Sequence, residues 1–265
     1  MALFLLVPVV VAAPLAPFFL TYEHAVATGK NSVLMTVYGK TTCMRIIRRF
    51  ATGRSYMSGR RARRVELRLQ TRAEMVKSVA SGQIVFVGSS ILAYWRNMAQ
   101  DLAPLPCVNA AAGGARTTDL LPFVDDLVVK TQPKCIVYYC GSNDLLAKMS
   151  VEGAVAGFEK FYLAVKQQLP RVKLIYVSIL VSPLQVFMGI EDKVAQVNSS
   201  IKSMIEEGET GDFQGACFLD LNVEPRFKTD WTLYINDGLH LNDLGHKLMG
   251  EMILPRLCKL LEAEM

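Results

Sequence analysis

With 265 residues, 51% of them hydrophobic, the chain has room for one α/β domain of about 200 residues and an N-terminal extension. Its net charge of +5 is unevenly spread: ten Lys/Arg and no acid lie between His24 and Val65, whereas Glu66 onward holds 19 basic and 23 acidic residues, a net of −4. That balance gives nucleic-acid binding by the globular part little support. Six cysteines (Cys43, Cys107, Cys135, Cys140, Cys217 and Cys258), with no CxxC and no metal-ligand spacing, argue against a zinc site or a disulfide framework.

Met1 to Leu20 carries no charged side chain and is long enough for a transmembrane candidate. Pro8, Pro14 and Pro17 interrupt it, which membrane helices tolerate. A cleaved signal peptide is the competing reading, although it lacks a basic start and Val11-Ala12-Ala13 would be cut before Pro14. The Arg-rich stretch behind it fits a cytoplasmic flank or a transit-peptide-like extension. Residues 1–22 are accordingly expected to be an anchor or signal, 23–60 a basic leader, and 61–265 the globular domain. The chain is expected to be membrane-associated or exported.

Val65, Leu69, Ala73 and Val76 recur at helical spacing, so Arg61 to Ala80 reads as an amphipathic helix. An alternation of apolar runs and helices follows. Strands are expected at Ile84–Val87, Cys107–Asn109, Cys135–Cys140, Lys173–Leu180 and Ala216–Asp220. Helices are expected from Ile91 to about Gln100, through Leu120 to Val129 behind a Thr117/Thr118 cap, and over Val151–Gln168, Glu191–Glu207 and Asn242–Leu261. This alternation predicts an α/β fold with a parallel sheet covered on both faces.

The polar residues that could carry chemistry fall at strand ends, where open α/β sheets place their ligand crevice. Ser90 follows the first strand in Gly88-Ser89-Ser90; there a hydroxyl is exposed at the sheet edge, though the two serines read equally as a helix cap. Gly113-Gly114 lets backbone approach a ligand closely, or is simply a turn. Asn143, in Gly141-Ser142-Asn143-Asp144, can donate to an oxyanion or form an Asx turn. Asp237 and His240, three residues apart, fit a base and its orienting carboxylate, or an ordinary polar loop. His246 falls in the last helix as a structural or surface histidine, and His24 lies in the leader.

Taken together, these four blocks resemble the SGNH hydrolases, the GDSL-type esterases and lipases, from about Val65 to the C-terminus. Ser89 stands where that family's nucleophile block has Asp, and the downstream Trp95 aligns Ser90 with the nucleophile. The resemblance implies a three-layer α/β/α sandwich with a five-stranded parallel sheet in flavodoxin-like order 2-1-3-4-5. It implies Ser90 as nucleophile, His240 as base and Asp237 as orienter. The oxyanion hole would be the N–H groups of Ser90 and Gly114 and the Asn143 amide, supported by Gly88 and Asp144. It implies a small-molecule or lipid ester as substrate and no metal or organic cofactor. An acyltransferase on the same scaffold and a catalytically silent, membrane-tethered binding protein remain open alternatives.

Overall fold

The computed structural model describes residues 59–262; segment 1–22, nearly all of the basic leader, His24 and Cys43 lie outside the described residues. Five short apolar runs form the sheet: β1 (Ile84–Gly88), β2 (Cys107–Asn109), β3 (Cys135–Tyr139), β4 (Lys173–Val177) and β5 (Ala216–Leu219). Neighbours pair in parallel in the order β2-β1-β3-β4-β5, the flavodoxin-like order the resemblance implies. A strand buried on both faces has no polar face to show, which is why Ile84-Val85-Phe86-Val87 runs apolar without a break. Successive side chains still alternate between faces. Val85, Val87, Ile136, Tyr138, Leu174 and Tyr176 enter one core cluster, and Ile84, Phe86, Val137, Tyr139, Ile175 and Val177 the other.

In chain order the helices are α1 (Gly59–Val76), α2 (Ser90–Ala93), α3 (Met98–Asp101), α4 (Thr117–Leu120), α5 (Val124–Leu127), α6 (Ser142–Leu146), α7 (Val151–Gln168), α8 (Pro183–Phe187), α9 (Glu191–Glu207), α10 (Arg226–Thr229) and α11 (Asp243–Glu262). Helices α1, α7 and α9 cover the first face through Val65 and Leu69, Phe158 and Phe161, and Val197 and Ile201. The other face is covered by α11 through Met249, Ile253 and Leu257. Each fully buried side chain of this size contributes about 1.5–3 kcal/mol through burial, so the three layers hold together on their apolar stripes. Among the described residues, no helix is long and apolar enough to cross a membrane.

Local departures from the sequence pattern have identifiable causes. The helix expected from Ile91 to Gln100 is broken into α2 and α3 around Trp95. The Trp95 N–H turns back to Leu92 O at 3.1 Å, and its buried indole packs edge-on against Phe86 while Nε1 donates to Asp101 at 2.6 Å. The helix expected through Leu120 to Val129 is broken at Pro122, which has no N–H and sits in a 3₁₀ turn between α4 and α5. The expected Thr117/Thr118 cap is displaced by Arg116, whose N–H is accepted by Asp119 at 2.9 Å. Strand β4 ends at Val177 instead of Leu180, and the Ile179 N–H goes to the Asn198 side chain at 2.8 Å. The sequence pattern anticipates neither α6 nor α8.

Candidate active site

Gly88 ends β1 at φ +150°, and a Cβ there would lie 1.9 Å from the Tyr139 carbonyl oxygen. Only glycine lets the chain pass β3 so closely, and the next N–H, that of Ser89, bonds that same carbonyl at 3.0 Å. The turn buries the Ser89 hydroxyl, which has no hydrogen-bond partner among the described residues, and sets Ser90 at the start of α2. Ser90 Oγ lies 2.9 Å from His240 Nε2, and His240 Nδ1 lies 2.6 Å from Asp237 Oδ2. The other carboxylate oxygen, Oδ1, accepts the N–H groups of Leu239 and His240, each at 2.9 Å.

That loop is held from several sides. Ile235 N–H bonds His240 O at 2.9 Å, Leu184 N–H from α8 bonds Gly238 O at 3.0 Å, and Leu239 packs with Leu146 and Leu184. Tyr94, directly after α2, lays its ring against His240 with centroids 5.2 Å apart. Burial would raise the Asp237 carboxyl, but the hydrogen bonds and positive charge of His240 and the Leu239 N–H outweigh it and hold it below its ordinary 3.8. The carboxylate is therefore ionised at neutral pH, which fixes the Nδ1–H tautomer of His240 and leaves Nε2 as an acceptor for the Ser90 hydroxyl.

The loops after β1, β2 and β3 are tied to one another. Ala112 N–H bonds Gly88 O at 3.0 Å, and the buried Asn143 amide donates to Ala115 O at 3.0 Å. Asp144 is fully buried and accepts both the N–H (3.1 Å) and the hydroxyl (2.7 Å) of Thr117, bracing α6 against α4. Burial raises the Asp144 carboxyl above its ordinary range, and the Thr117 donors work against that rise. Gly114 sits between these anchors at φ +83°. Beside it, Leu67, Arg68, Arg72, Met75, Tyr94 and Gly113 line a groove of about 460 Å³. A Cβ on Gly113 would meet the Tyr94 hydroxyl at 2.8 Å, so a larger residue there would have to shift the exposed Tyr94 side chain.

The structure thus joins Ser90, His240 and Asp237 in one hydrogen-bonded chain and links Gly114, Asn143 and Asp144 through the Ala115–Thr117 turn. It leaves His246 out of this chain. That histidine is buried, stacks on Trp95 at 5.7 Å and faces Ile91 O with Nε2 at 2.8 Å, so Nε2 carries the proton and anchors α2 from behind. Tyr94 and Gln185, which donates to Ser142 at 3.0 Å, are neighbours that motif reading passes over, and Thr117 reads in the sequence only as a helix cap. Only α8 leaves a legible signal, Ser182-Pro183-x-Gln185, a capping box with proline at the first turn. Among the described residues no cluster of His, Cys, Asp and Glu is arranged for a metal ion, and five cysteines are free, with burial pushing the Cys107 thiol up to about 11.

Burial holds the His246 imidazole below its ordinary 6.5, with the Ile91 carbonyl acting against it. Below about pH 6.5 the unfolded chain takes up a proton that the folded chain resists, so stability falls as pH drops through that point. Urea midpoints measured at about pH 7.5 and about pH 5.5 should show the loss. In His246→Gln, which keeps a donor for Ile91 O, the difference should shrink; an unchanged pH slope contradicts the assignment.

The model of the GDSL-like Lipase/Acylhydrolase family matches residues 77–248. No curated protein matches the chain. Among solved structures, a GDSL-like lipase from Bacteroides thetaiotaomicron is similar at a TM-score of 0.61 and 16% identity, covering 72% of this chain and 97% of that one. A carbohydrate esterase family 3 structure from Talaromyces cellulolyticus is similar at 0.57 and 17% identity, covering 69% and 99%. At these identities the likeness to the two structures is one of fold.

Proposed function

Because the chain belongs to the GDSL-like lipase/acylhydrolase family of hydrolases, we propose that it cleaves carboxylic esters through an acyl-enzyme on Ser90. The observation that carries this reading is the unbroken chain Ser90 Oγ, His240, Asp237, with contacts of 2.9 and 2.6 Å at the C-terminal edge of the sheet. His240 Nε2 takes the hydroxyl proton as Ser90 Oγ attacks the acyl carbonyl, and Asp237 stabilises the imidazolium that results. The negative charge moves to the carbonyl oxygen, where the N–H groups of Ser90 and Gly114 and the Asn143 amide receive it. His240 then protonates the leaving alcohol. Water, deprotonated by the same nitrogen, attacks the acyl-enzyme and releases the acid and free Ser90.

The substrate in this reading is a small-molecule or lipid ester, one part of which lies in the groove beside Tyr94. The uncharged segment Met1–Leu20 is assigned a role as membrane anchor or export signal on its composition. A fluorophosphonate is the direct probe of the mechanism. Peptide mapping should find the adduct on Ser90, and absence of labelling, or an adduct elsewhere, overturns the reading.

Asn143→Ala should lower kcat by about 10²–10³ with KM little changed, the loss expected for one preorganised donor to the transition-state oxyanion. Steady-state kinetics on a short p-nitrophenyl ester decide this. A loss confined to KM would make Asn143 a substrate-positioning group instead.

A further inference from the structure

Helix α1 ends at Val76, one residue before the family-matched segment begins at 77. One of its faces nevertheless reaches the loop that carries Gly114. Arg61, Val65 and Arg68 recur at i, i+4 and i+7 and so project from the same side. Arg68 Nη1 donates to Gly113 O at 2.6 Å. Arg61 Nη2 donates to Gly114 O at 2.5 Å and to Asp119 Oδ2 at 2.9 Å. Val65 packs between them, 3.6 Å from where a Cβ on Gly114 would lie.

The peptide bond is planar, and in the trans form its C=O and N–H point to opposite sides. Gly113 O and the Gly114 N–H belong to one such plane. Drawing that carbonyl toward α1 turns the Gly114 N–H the other way. Arg61 holds the next plane by the Gly114 carbonyl, so both torsions of a glycine at φ +83° are fixed from outside. This matters because an untethered glycine has the widest conformational choice of any residue. A charged donor on the carbonyl also withdraws electron density from the amide and strengthens its N–H as a donor.

We propose that Arg68, with Arg61 beside it, is a positioning residue for the oxyanion hole: it aims and polarises the Gly114 N–H. The inference rests on the reading of Gly114 as an oxyanion donor. A merely structural Arg68 would tether α1 to the domain, and its loss would lower stability without changing the chemical step.

In the full chain, Arg68→Gln should lower kcat about 10- to 100-fold, whatever its place in the groove does to KM. It should weaken a trifluoromethyl ketone, which forms a tetrahedral oxyanion on the serine, by the same factor. Arg68→Lys, which keeps a charged donor, should recover part of both losses and carries the test if the Gln variant folds poorly. Arg64→Gln, on the same helix but bonded among the described residues only to Arg60 O, should change neither quantity. Unchanged kcat and ketone affinity in both Arg68 variants, or equal losses in Arg64→Gln, overturn the proposal. Asn143→Ala separates the two levels. If it weakens the ketone and Arg68→Gln does not, the positioning role alone fails; if neither does, the oxyanion reading has failed as well.

Discussion

Ser90→Ala is expected to reduce kcat on a short p-nitrophenyl ester by on the order of 10⁶, the scale on which a serine nucleophile and its base act as a unit. The fold should survive. Among the described residues the side-chain hydroxyl makes one hydrogen bond, to His240, and the helix bond from Tyr94 N–H to Ser90 O is a main-chain bond the substitution leaves alone. His240→Ala should fall to the same level, and the double variant no further, because the second loss removes nothing the first has left working. Ser89→Ala is the paired control. Its hydroxyl has no hydrogen-bond partner among the described residues and stands outside the chain to His240, so the variant should keep its activity. Turnover in Ser90→Ala within ten-fold of the parent, at matched thermal midpoint, would remove Ser90 from the mechanism.

The sheet was legible because its strands are short, continuous and apolar, and nothing else explains Ile84-Val85-Phe86-Val87 or Cys135-Ile136-Val137-Tyr138-Tyr139 between helical stretches. The Asp237–His240 spacing was legible for a local reason. One carboxylate oxygen caps the N–H groups of residues 239 and 240, and that turn brings the other oxygen to the imidazole. What could not be read locally depends on distant partners. Periodicity carries the helix past Trp95, yet the indole gains more by packing on Phe86 and reaching Asp101 than the helix gains by continuing. Pro122 is a plain breaker that a pattern of apolar spacing overlooks. The amphipathic stripe of α1 was visible, but its arginines look like solvated charge until the Gly113–Gly114 loop is folded beneath them. Thr117 reads as a cap and instead spends its hydroxyl on Asp144, 27 residues away.

Asp237→Asn should lower kcat by about 10⁴ while leaving the loop in place, and the reason lies in the two oxygens of the carboxylate. Oδ1 accepts two main-chain N–H groups at 2.9 Å, so an asparagine must put its carbonyl oxygen there; the opposite flip would aim an NH₂ at two donors. The amide nitrogen is then left at the position of Oδ2, 2.6 Å from His240 Nδ1 in the parent. An NH₂ donates, so Nδ1 must accept, and the imidazole proton moves to Nε2. That nitrogen then donates toward Ser90 Oγ and can no longer take its proton. Side-chain volume, the turn and the packing of Leu239 all persist, so the loss should fall on kcat with KM and thermal midpoint nearly unchanged. Nitrogen NMR of the histidine ring should show the proton on Nδ1 in the parent and on Nε2 in the variant. A variant with the Nδ1–H tautomer intact, or with kcat within ten-fold of the parent, would mean that Asp237 holds the loop and does not orient the base.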